Sequence, residues 1–210
     1  MGKIEITKKV LGICATNCYT VVDTETKKAL IIDPADRADV LIRDWKEKGV
    51  TPQAVLLTHG HFDHIGALAD VKKEYPDIRV YAAAEEKDVM ESPALNLSSS
   101  FGAAFTAQAD IYLEDGAEIE VLGRTCKCLL VPGHTKGGMC YYFPEENVVF
   151  TGDTLFCYSV GRTDFPTGDA KALEDAIREK LFALPDETLV LPGHDAQTMI
   201  GKEKTGNPYF

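Results

Sequence analysis

All five histidines of this chain lie in three short motifs, and these motifs together with a fourth also contain two aspartates. The densest motif is His-Gly-His-Phe-Asp-His at 59–64, and the others are Pro-Gly-His at 132–134, Thr-Gly-Asp at 151–153 and Pro-Gly-His at 192–194. Imidazole nitrogens and carboxylate oxygens are ligands that zinc, iron and manganese accept. A structural zinc site is a closed set of four ligands, often cysteines, so a larger set without thiolates indicates a catalytic site. We therefore predict a site for two divalent metal ions, zinc in the first place with iron or manganese as alternatives, whose ligands are His59, His61, Asp63, His64, His134, Asp153 and His194.

The spacing of these residues divides them between the two ions. His59 and His61 are two residues apart, so in extended backbone their side chains point the same way and can bind one ion. His134 is assigned to the same ion and gives it a third imidazole. Asp63 and His64 are adjacent at the turn into a predicted helix, from which they can reach the second ion.

Two further ligands complete the predicted centre. His194 joins Asp63 and His64 on the second ion, and the two oxygens of Asp153 can bridge both ions. Two divalent cations lower the pKa of a water between them from about 15.7 towards 7. The expected catalyst is a metal-bridging hydroxide that attacks a carbonyl group polarised by one ion. A serine or cysteine nucleophile is not needed, and Asp63 is expected to serve both as a ligand and in handling a proton.

A short apolar run, which predicts a strand, stands directly before each ligand motif. Strand ends are rigid, and the loops leaving them can aim side chains at a common point, so the four motifs can converge. The pattern of strands, then helices, then strands predicts an α/β (α+β) fold in one domain over 1–210, with two mixed β-sheets face to face and helices on the outer faces. Helices are predicted over 38–48, around 65–71 and over 170–184. Strands are predicted at 4–6, 19–22, 29–32, 54–58, 79–82, 119–122, 127–131, 139–143, 148–151 and 188–191.

Residues 85–110 have the weakest periodicity of the chain and contain Pro93 and three successive serines at 98–100. Short helical turns joined by mobile loops are the expectation for such a segment. A long irregular segment within a compact domain is often functional, so we predict a lid or a substrate wall here.

Composition excludes several classes of protein. The net charge is −11, and no run of Lys and Arg offers a basic face, so a nucleic-acid partner is not expected. No apolar stretch approaches a membrane span or a secretion signal, so we expect a cytoplasmic protein with no membrane partner. The six cysteines are scattered and are expected to be buried thiols, with a redox pair at Cys126 and Cys128 as the alternative.

The chain resembles the metallo-β-lactamase-fold hydrolases from Asn17-Cys18-Tyr19 to Asn207-Pro208-Tyr209-Phe210, on the His-x-His-x-Asp-His motif and the later Gly-His, Gly-Asp and Gly-His motifs. The resemblance implies an αββα sandwich with a binuclear site at the ligands named above. Asp153 stands where β-lactamases of the best-known subclass carry a cysteine, which argues against antibiotic hydrolysis.

Within that superfamily, residues 160–166 and the tail at 201–204 resemble short glyoxalase-II-like (hydroxyacylglutathione hydrolase-like) enzymes, which implies hydrolysis of S-lactoylglutathione or a related small-molecule thioester. The longer enzymes continue into a helical domain that supplies glutathione contacts, and no such C-terminal domain is expected here. Arg162, Lys202 and Lys204 are candidate substrate-binding residues. The alternatives are that Arg162 pins its own loop and that both lysines are solvated.

Two other functions remain open on the same fold. The first is an iron-dependent persulfide dioxygenase, whose single iron would be held by His59, His134 and Asp153. The second is a metallo-hydrolase of another ester or a lactone. The chain is expected to be a monomer or a homodimer.

Overall fold

A computed structural model describes residues 2–210, in which fourteen strands form two six-stranded sheets and one small hairpin. The first sheet has its strands in chain order: β1 Ile4–Leu11, β2 Thr16–Asp23, β3 Lys28–Ile32, β4 Thr51–Leu56, β5 Arg79–Ala83 and β6 Ile111–Leu113. Its first three strands are antiparallel, and β3 to β6 are parallel, so the sheet is mixed.

The second sheet is also mixed, because β10 and β13 are parallel and its other neighbours are antiparallel. Its strands follow the order β14, β13, β10, β9, β8, β7. Their bounds are β7 Glu118–Val121, β8 Arg124–Leu130, β9 Met139–Phe143, β10 Val148–Gly152, β13 Leu189–Pro192 and β14 Thr198–Met199, and the separate hairpin is β11 Leu155–Phe156 with β12 Ser159–Val160.

Helices occupy the connections between strands. Their bounds are α1 Ala38–Glu47, α2 Phe62–Ile65, α3 Leu68–Glu74, α4 Lys87–Glu91 after a 3₁₀ turn at Ala84–Glu86, α5 Ser98–Phe101, α6 Ala170–Ala176 continued by a π-helical turn at Ile177–Leu181, and α7 Ile200–Gly206. Among the described residues, no helix has the length and apolar character required to cross a membrane.

Three hydrophobic cores explain the layering of sheets and helices. Successive strand residues point to opposite faces, so Ile31 of β3 packs with Trp45 of α1, whereas Leu30 packs with Tyr141 of the second sheet. On the far side of the second sheet, β10 packs against α6 and α7. The order is therefore helix, sheet, sheet, helix, which confirms the predicted αββα sandwich.

The predicted strands all occur, with ends that differ by a few residues, and two predicted helices differ in detail. The helix around 65–71 is two helices, since the chain turns at Gly66, where an added Cβ would lie 2.4 Å from the Ala35 carbonyl oxygen. The helix over 170–184 is α-helical only to Ala176, and its wider last turn leaves Leu181 buried in the third core. The sequence prediction lacked β6, β11, β12, β14 and α7, which are too short to show periodicity.

Residues 85–110 contain the expected short helical turns, α4 and α5. The two halves of the segment are joined by Asn96, which is buried and donates its side-chain amide to the carbonyls of Met90 and Phe105. Phe105 also packs against the first core. Phe101 and Phe105 of this segment line a pocket together with Phe62 of α2, and a role as substrate wall stays a prediction.

Candidate metal centre

Strand ends position the histidine and aspartate motifs, as predicted. The 59–64 motif follows β4 of the first sheet, and the other three motifs follow β8, β10 and β13 of the second sheet. Backbone hydrogen bonds join the two sheets here, because the Met139 amide donates to the Thr58 carbonyl over 2.8 Å and the Asn17 amide donates to the Gly193 carbonyl over 2.7 Å. These bonds hold the loops from both sheets against each other.

The first group of predicted ligands is His59, His61 and His134, which are all buried. One ligand atom from each lies within 4.8 Å of the others. His61 Nδ1 and His134 Nε2 are 3.0 Å apart. The structure therefore brings together the three imidazoles that the sequence assigned to one ion.

The second group is Asp63, His64 and His194, whose ligand atoms also lie within 4.8 Å of one another. His194 Nε2 is 3.4 Å from Asp63 Oδ2, and His64 Nε2 is 3.6 Å from the same oxygen. Thr16 donates its hydroxyl to this oxygen over 2.8 Å, which holds the carboxylate in place.

Asp153 lies between the two groups. Its Oδ1 is 3.3 Å from His64 Nε2, and its Oδ2 is 3.3 Å from His194 Nε2 and 3.6 Å from His134 Nε2. The carboxylate thus faces histidines of both groups, which is the placement that a bridging ligand requires.

Unpartnered buried atoms test whether these residues fit a metal ion. Within residues 2–210, His59 Nε2, His61 Nε2, His64 Nε2 and Asp153 Oδ1 are buried without a hydrogen-bond partner. Buried polar atoms in folded proteins are almost always hydrogen-bonded, so several such atoms in one place need an explanation. A divalent cation accepts these nitrogen and oxygen donors, and the cluster is able to bind metal.

The opposite nitrogens of three rings are held by the protein, which turns the free nitrogens inward. The Asp33 carboxylate accepts from His64 Nδ1 over 2.8 Å, and the Arg162 carbonyl accepts from His134 Nδ1 over 2.7 Å. Thr58 Oγ1 lies 3.1 Å from His59 Nδ1 and donates to Asp33 over 2.6 Å. Such outer hydrogen bonds fix the tautomer and the orientation of metal-binding histidines.

Asp33 is the first of two site residues that the sequence prediction lacked. It is buried and also accepts from the Thr58 amide over 2.8 Å, so one carboxylate orients His64 directly and His59 through Thr58. A signal did exist, because Asp33 directly follows an apolar strand, as the predicted ligands do.

Glu86 is a second missed residue, and it joins two loops that carry ligands. Its Oε1 accepts from the Gly60 amide over 2.8 Å, and its Oε2 accepts from the Thr135 hydroxyl over 3.0 Å and from the Gly137 amide over 2.9 Å. Burial raises the pKa of Glu86 to about 7, although all three hydrogen bonds favour the charged form. No sequence pattern marks this glutamate, because it lies in the aperiodic segment.

The charge state of the cluster differs between the two groups. Burial and the neighbouring imidazoles lower the pKa of His61 to about 3 and that of His59 well below its ordinary value, so both rings are neutral. Burial also opposes a charge on His64 and His194, but the adjacent carboxylates raise the pKa of His64 well above its ordinary value and that of His194 to about 9. Metal binding at the second group must therefore displace protons.

Asp63 and Asp153 remain ionised in this setting. Burial disfavours their charged forms, but His64 and a hydrogen bond from His194 outweigh it, so the pKa of Asp63 falls to about 2 and that of Asp153 falls well below its ordinary value. Both are therefore ready to bind a cation, and Asp63 is a weak base.

The three predicted substrate-binding residues lie in different settings. The Arg162 guanidinium donates to Asp164 over 2.7 and 2.6 Å and stacks 3.9 Å from the Phe165 ring centroid, which favours the alternative that it pins its own loop. Lys204 is paired with Asp186 and the Leu184 carbonyl, and Lys202 is exposed. Over residues 2–210, no hydrogen bond or ion pair joins either lysine to the histidine and aspartate cluster.

The cysteines are free thiols in the structure. Cys18, Cys126, Cys128 and Cys140 are buried, whereas Cys14 and Cys157 are half-buried. Burial raises the pKa of Cys18 and Cys140 to about 12, so these two remain protonated. Buried thiols are therefore confirmed for four of the six positions.

The metallo-β-lactamase class of fold has two mixed sheets packed face to face with helices outside. This chain has that arrangement, with a histidine and aspartate cluster able to bind metal at the strand ends. Residues 11–194 match the family model of the metallo-beta-lactamase superfamily, and the chain belongs to that superfamily.

Two curated relatives match nearly the whole chain. A probable metallo-hydrolase, YqgX of Bacillus subtilis, is 38% identical over 95% of this chain and 94% of its own length. The hydroxyacylglutathione hydrolase GloC of Haemophilus influenzae is 36% identical over 92% of each protein.

Two solved structures are similar over the same extent. The BLEG-1 B3 metallo-beta-lactamase is 39% identical with a TM-score of 0.92, covering 98% of this chain and 99% of its own. TTHA1623, solved in a di-iron-bound form, is 36% identical with a TM-score of 0.85, covering 97% of this chain and 100% of its own. Relatives with this fold and chain length thus include a protein that holds two iron ions.

Proposed function

We propose that this superfamily member is a thioesterase of glyoxalase-II type that hydrolyses S-lactoylglutathione or a related acyl-thiol with two divalent cations. The observation that carries the proposal is the convergence of unpartnered buried atoms from His59, His61, His64 and Asp153 between the two sheets. The similarity to a hydroxyacylglutathione hydrolase over 92% of the chain supports the choice of substrate class. Zinc is the first choice of metal, and similarity to a di-iron protein makes iron the alternative.

The reaction adds water to a thioester and yields a carboxylic acid and a free thiol. His59, His61 and His134 would hold one cation, Asp63, His64 and His194 the other, and Asp153 would bridge them. Once bound, two such ions supply a water of lowered pKa and polarise the thioester carbonyl.

The chain's own residues prepare the site for this chemistry. Asp33 and the Arg162 carbonyl hold the histidine rings with their free nitrogens inward, so no reorientation is needed when ligands engage. Thr16 donates to Asp63 and keeps that carboxylate turned to the cluster. Because the pKa of Asp63 is about 2, we assign it the role of ligand before that of proton carrier.

Aromatic side chains flank the cluster on several sides. The Phe165 ring centroid is 6.0 Å from that of His61, and the Phe156 centroid is 6.1 Å from that of His194. Phe62 stacks on Phe101 at 4.9 Å beside Asp63. Lower local polarity strengthens the electrostatic stabilisation of a developing oxyanion.

The experiment is thiol release from S-lactoylglutathione by protein of measured metal content, compared with a His134→Ala variant. We expect turnover with about two metal ions per chain and a loss of at least about a hundredfold in the variant, since even outer partners of ligands contribute 10–100-fold. Lys171→Ala on the exposed surface of α6 is the control and should retain full activity. Equal activity in His134→Ala, or metal-loaded protein without turnover, would contradict the proposal.

Hydrolysis of a β-lactam amide is the second candidate, because a structure 39% identical over nearly the whole chain is a B3 metallo-beta-lactamase. The same preparation should therefore be assayed for β-lactam ring opening, and for oxygen uptake with a thiol persulfide. Turnover in either assay without thiol release would replace the thioesterase proposal.

A further inference from the structure

A pocket of about 310 Å³ adjoins the cluster on the side of Asp63. Its walls come from the β1–β2 turn, from α2 and from the segment after α5, and its apolar lining includes Ile13, Phe62, Phe101 and Phe105. This volume is at the lower end of the range of small-molecule sites. We call it the Ile13–Phe101 pocket.

The cluster is open to solvent on the same side. Side-chain exposure is 14% for Asp63, 13% for Asp153 and 20% for His194, whereas it is 0% for His64 and 5% for His134. The exposed edge of the cluster is therefore formed by Asp63, Asp153 and His194, and Asp63 belongs to both the cluster and the pocket wall.

Large apolar side chains stand exposed at the rim. Ile13 is 79% exposed, and Phe101 is 50% exposed although it stacks on Phe62. They are two of the five large hydrophobic side chains that are exposed among residues 2–210, and both line this one pocket. Apolar surface concentrated at the mouth of a site marks a binding surface for an apolar group.

The pocket lining offers no cationic side chain to an anionic occupant. The charged residues that line the pocket are Asp36 and Asp63, and the lining has no lysine or arginine. The two carboxylates of a glutathione moiety would meet negative charge there, while an uncharged hydrocarbon chain would not.

We propose that the Ile13–Phe101 pocket binds the apolar acyl chain of the thioester, so that the preferred substrates carry a linear hydrocarbon acyl group longer than acetyl. This inference rests on the proposed thioesterase function for the naming of the occupant.

Binding of linear carboxylates tests the pocket without turnover, because these are the acyl products. Calorimetric titration of the metal-loaded protein with acetate, butyrate and hexanoate should show Kd falling about three- to fourfold per methylene. Ile13→Ser and Phe101→Ser should each reduce this gradient, and Ile13→Ser should do so at an unchanged melting temperature because Ile13 is 79% exposed. Val10→Ser is the matched control, because Val10 is 55% exposed on the same hairpin and does not line the pocket.

Each outcome decides the proposal. A gradient that both pocket variants flatten and Val10→Ser retains supports it, and rates with acetyl, butyryl and hexanoyl esters of one thiol should follow the same order. A wild-type protein without a gradient, or a gradient indifferent to Ile13 and Phe101, overturns it. A gradient found with alkanethiols and not with carboxylates also overturns it, because the occupant is then the thiol moiety. Failure to hydrolyse any thioester would overturn the proposed function and with it the naming of the occupant, whereas a carboxylate gradient would still show that the pocket binds a hydrocarbon chain, since that gradient does not depend on turnover.

Discussion

Glu86 provides the sharpest test of how the ligand loops are held. Its two carboxylate oxygens accept from Gly60 on one side and from Thr135 and Gly137 on the other. Gly60 lies between two predicted ligands, and Thr135 follows a third, so one buried side chain sets the distance between the two loops. In Glu86→Gln, one oxygen becomes an NH₂ group. Whichever way the amide is turned, at least one backbone N–H then faces a donor.

The effect on stability has two parts of opposite sign. A buried N–H left without an acceptor costs about 1–3 kcal/mol. The pKa of Glu86 is raised from 4.5 to about 7, so it binds its proton more tightly when folded. Its contribution to stability is therefore full below about pH 4.5 and is lost as the pH rises through 7. By pH 8 the wild type has lost roughly 3 kcal/mol of folding stability in this way. Glutamine does not ionise, so the variant does not lose this stability.

These magnitudes predict a pH-dependent result for metal-free protein. Glu86→Gln should be less stable than the wild type by about 1–3 kcal/mol at pH 5, and the two should differ by no more than about 2 kcal/mol at pH 8. Metal affinity should nevertheless fall 10–100-fold at pH 8, as it does for other residues that orient ligands. Denaturant unfolding at both pH values and competitive metal titration measure these quantities.

Glu203→Gln is the matched control. Glu203 is also buried and also accepts from three donors, which are Thr198, the Tyr158 amide and Asn207, but these donors belong to α7 and its neighbours. The control should leave metal affinity unchanged. If Glu86→Gln binds metal as tightly as the wild type, or if both variants lose affinity equally, the carboxylate does not position the loops.

Two further predictions concern the second ligand group. Asp33→Asn should weaken binding of the second metal ion by about 10–100-fold with less effect on the first, because it directly orients His64, and stepwise metal titration would show equal weakening if this reasoning is wrong. In metal-free protein, burial opposes a charge on His194, but hydrogen bonds to Asp153 and Asp63 raise its pKa to about 9. Protonated His194 therefore contributes at most about 3 kcal/mol to the free energy of unfolding, a contribution that is complete below pH 6.5 and is lost as the pH rises through 9. Parallel pH–stability curves for the wild type and His194→Asn would contradict the raised pKa of His194.

The positions of the ligands were predictable from the sequence because each motif combines a local strand with a ligand directly after it. The ligands that follow four apolar strands lie close together between the two sheets, and they are His59, His134, Asp153 and His194. The convergence was expected because the loops that leave rigid strand ends can aim their side chains at a common point.

The residues that orient the ligands were less predictable, for a physical reason. Glu86 acts through contacts with residues 26, 49 and 51 positions away along the chain, and its own segment has no period. A single carboxylate in such a segment looks the same whether it is solvated or buried. The need for glycine at position 66 was missed for a similar reason, because the Ala35 carbonyl that approaches it comes from a distant loop.

Substrate preference is encoded apart from the metal ligands. Imidazole and carboxylate donors serve hydrolysis and oxidation alike, so the ligand set defines the superfamily and its metal chemistry without choosing the acyl group. Under the proposed function, that choice would fall to the side chains of the pocket beside the cluster, which include Ile13 and Phe101. These residues lie in a turn and in a short helix with few structural constraints of their own, so they can change without disturbing either sheet. A difference in acyl preference between this chain and its relatives should therefore trace to these two positions.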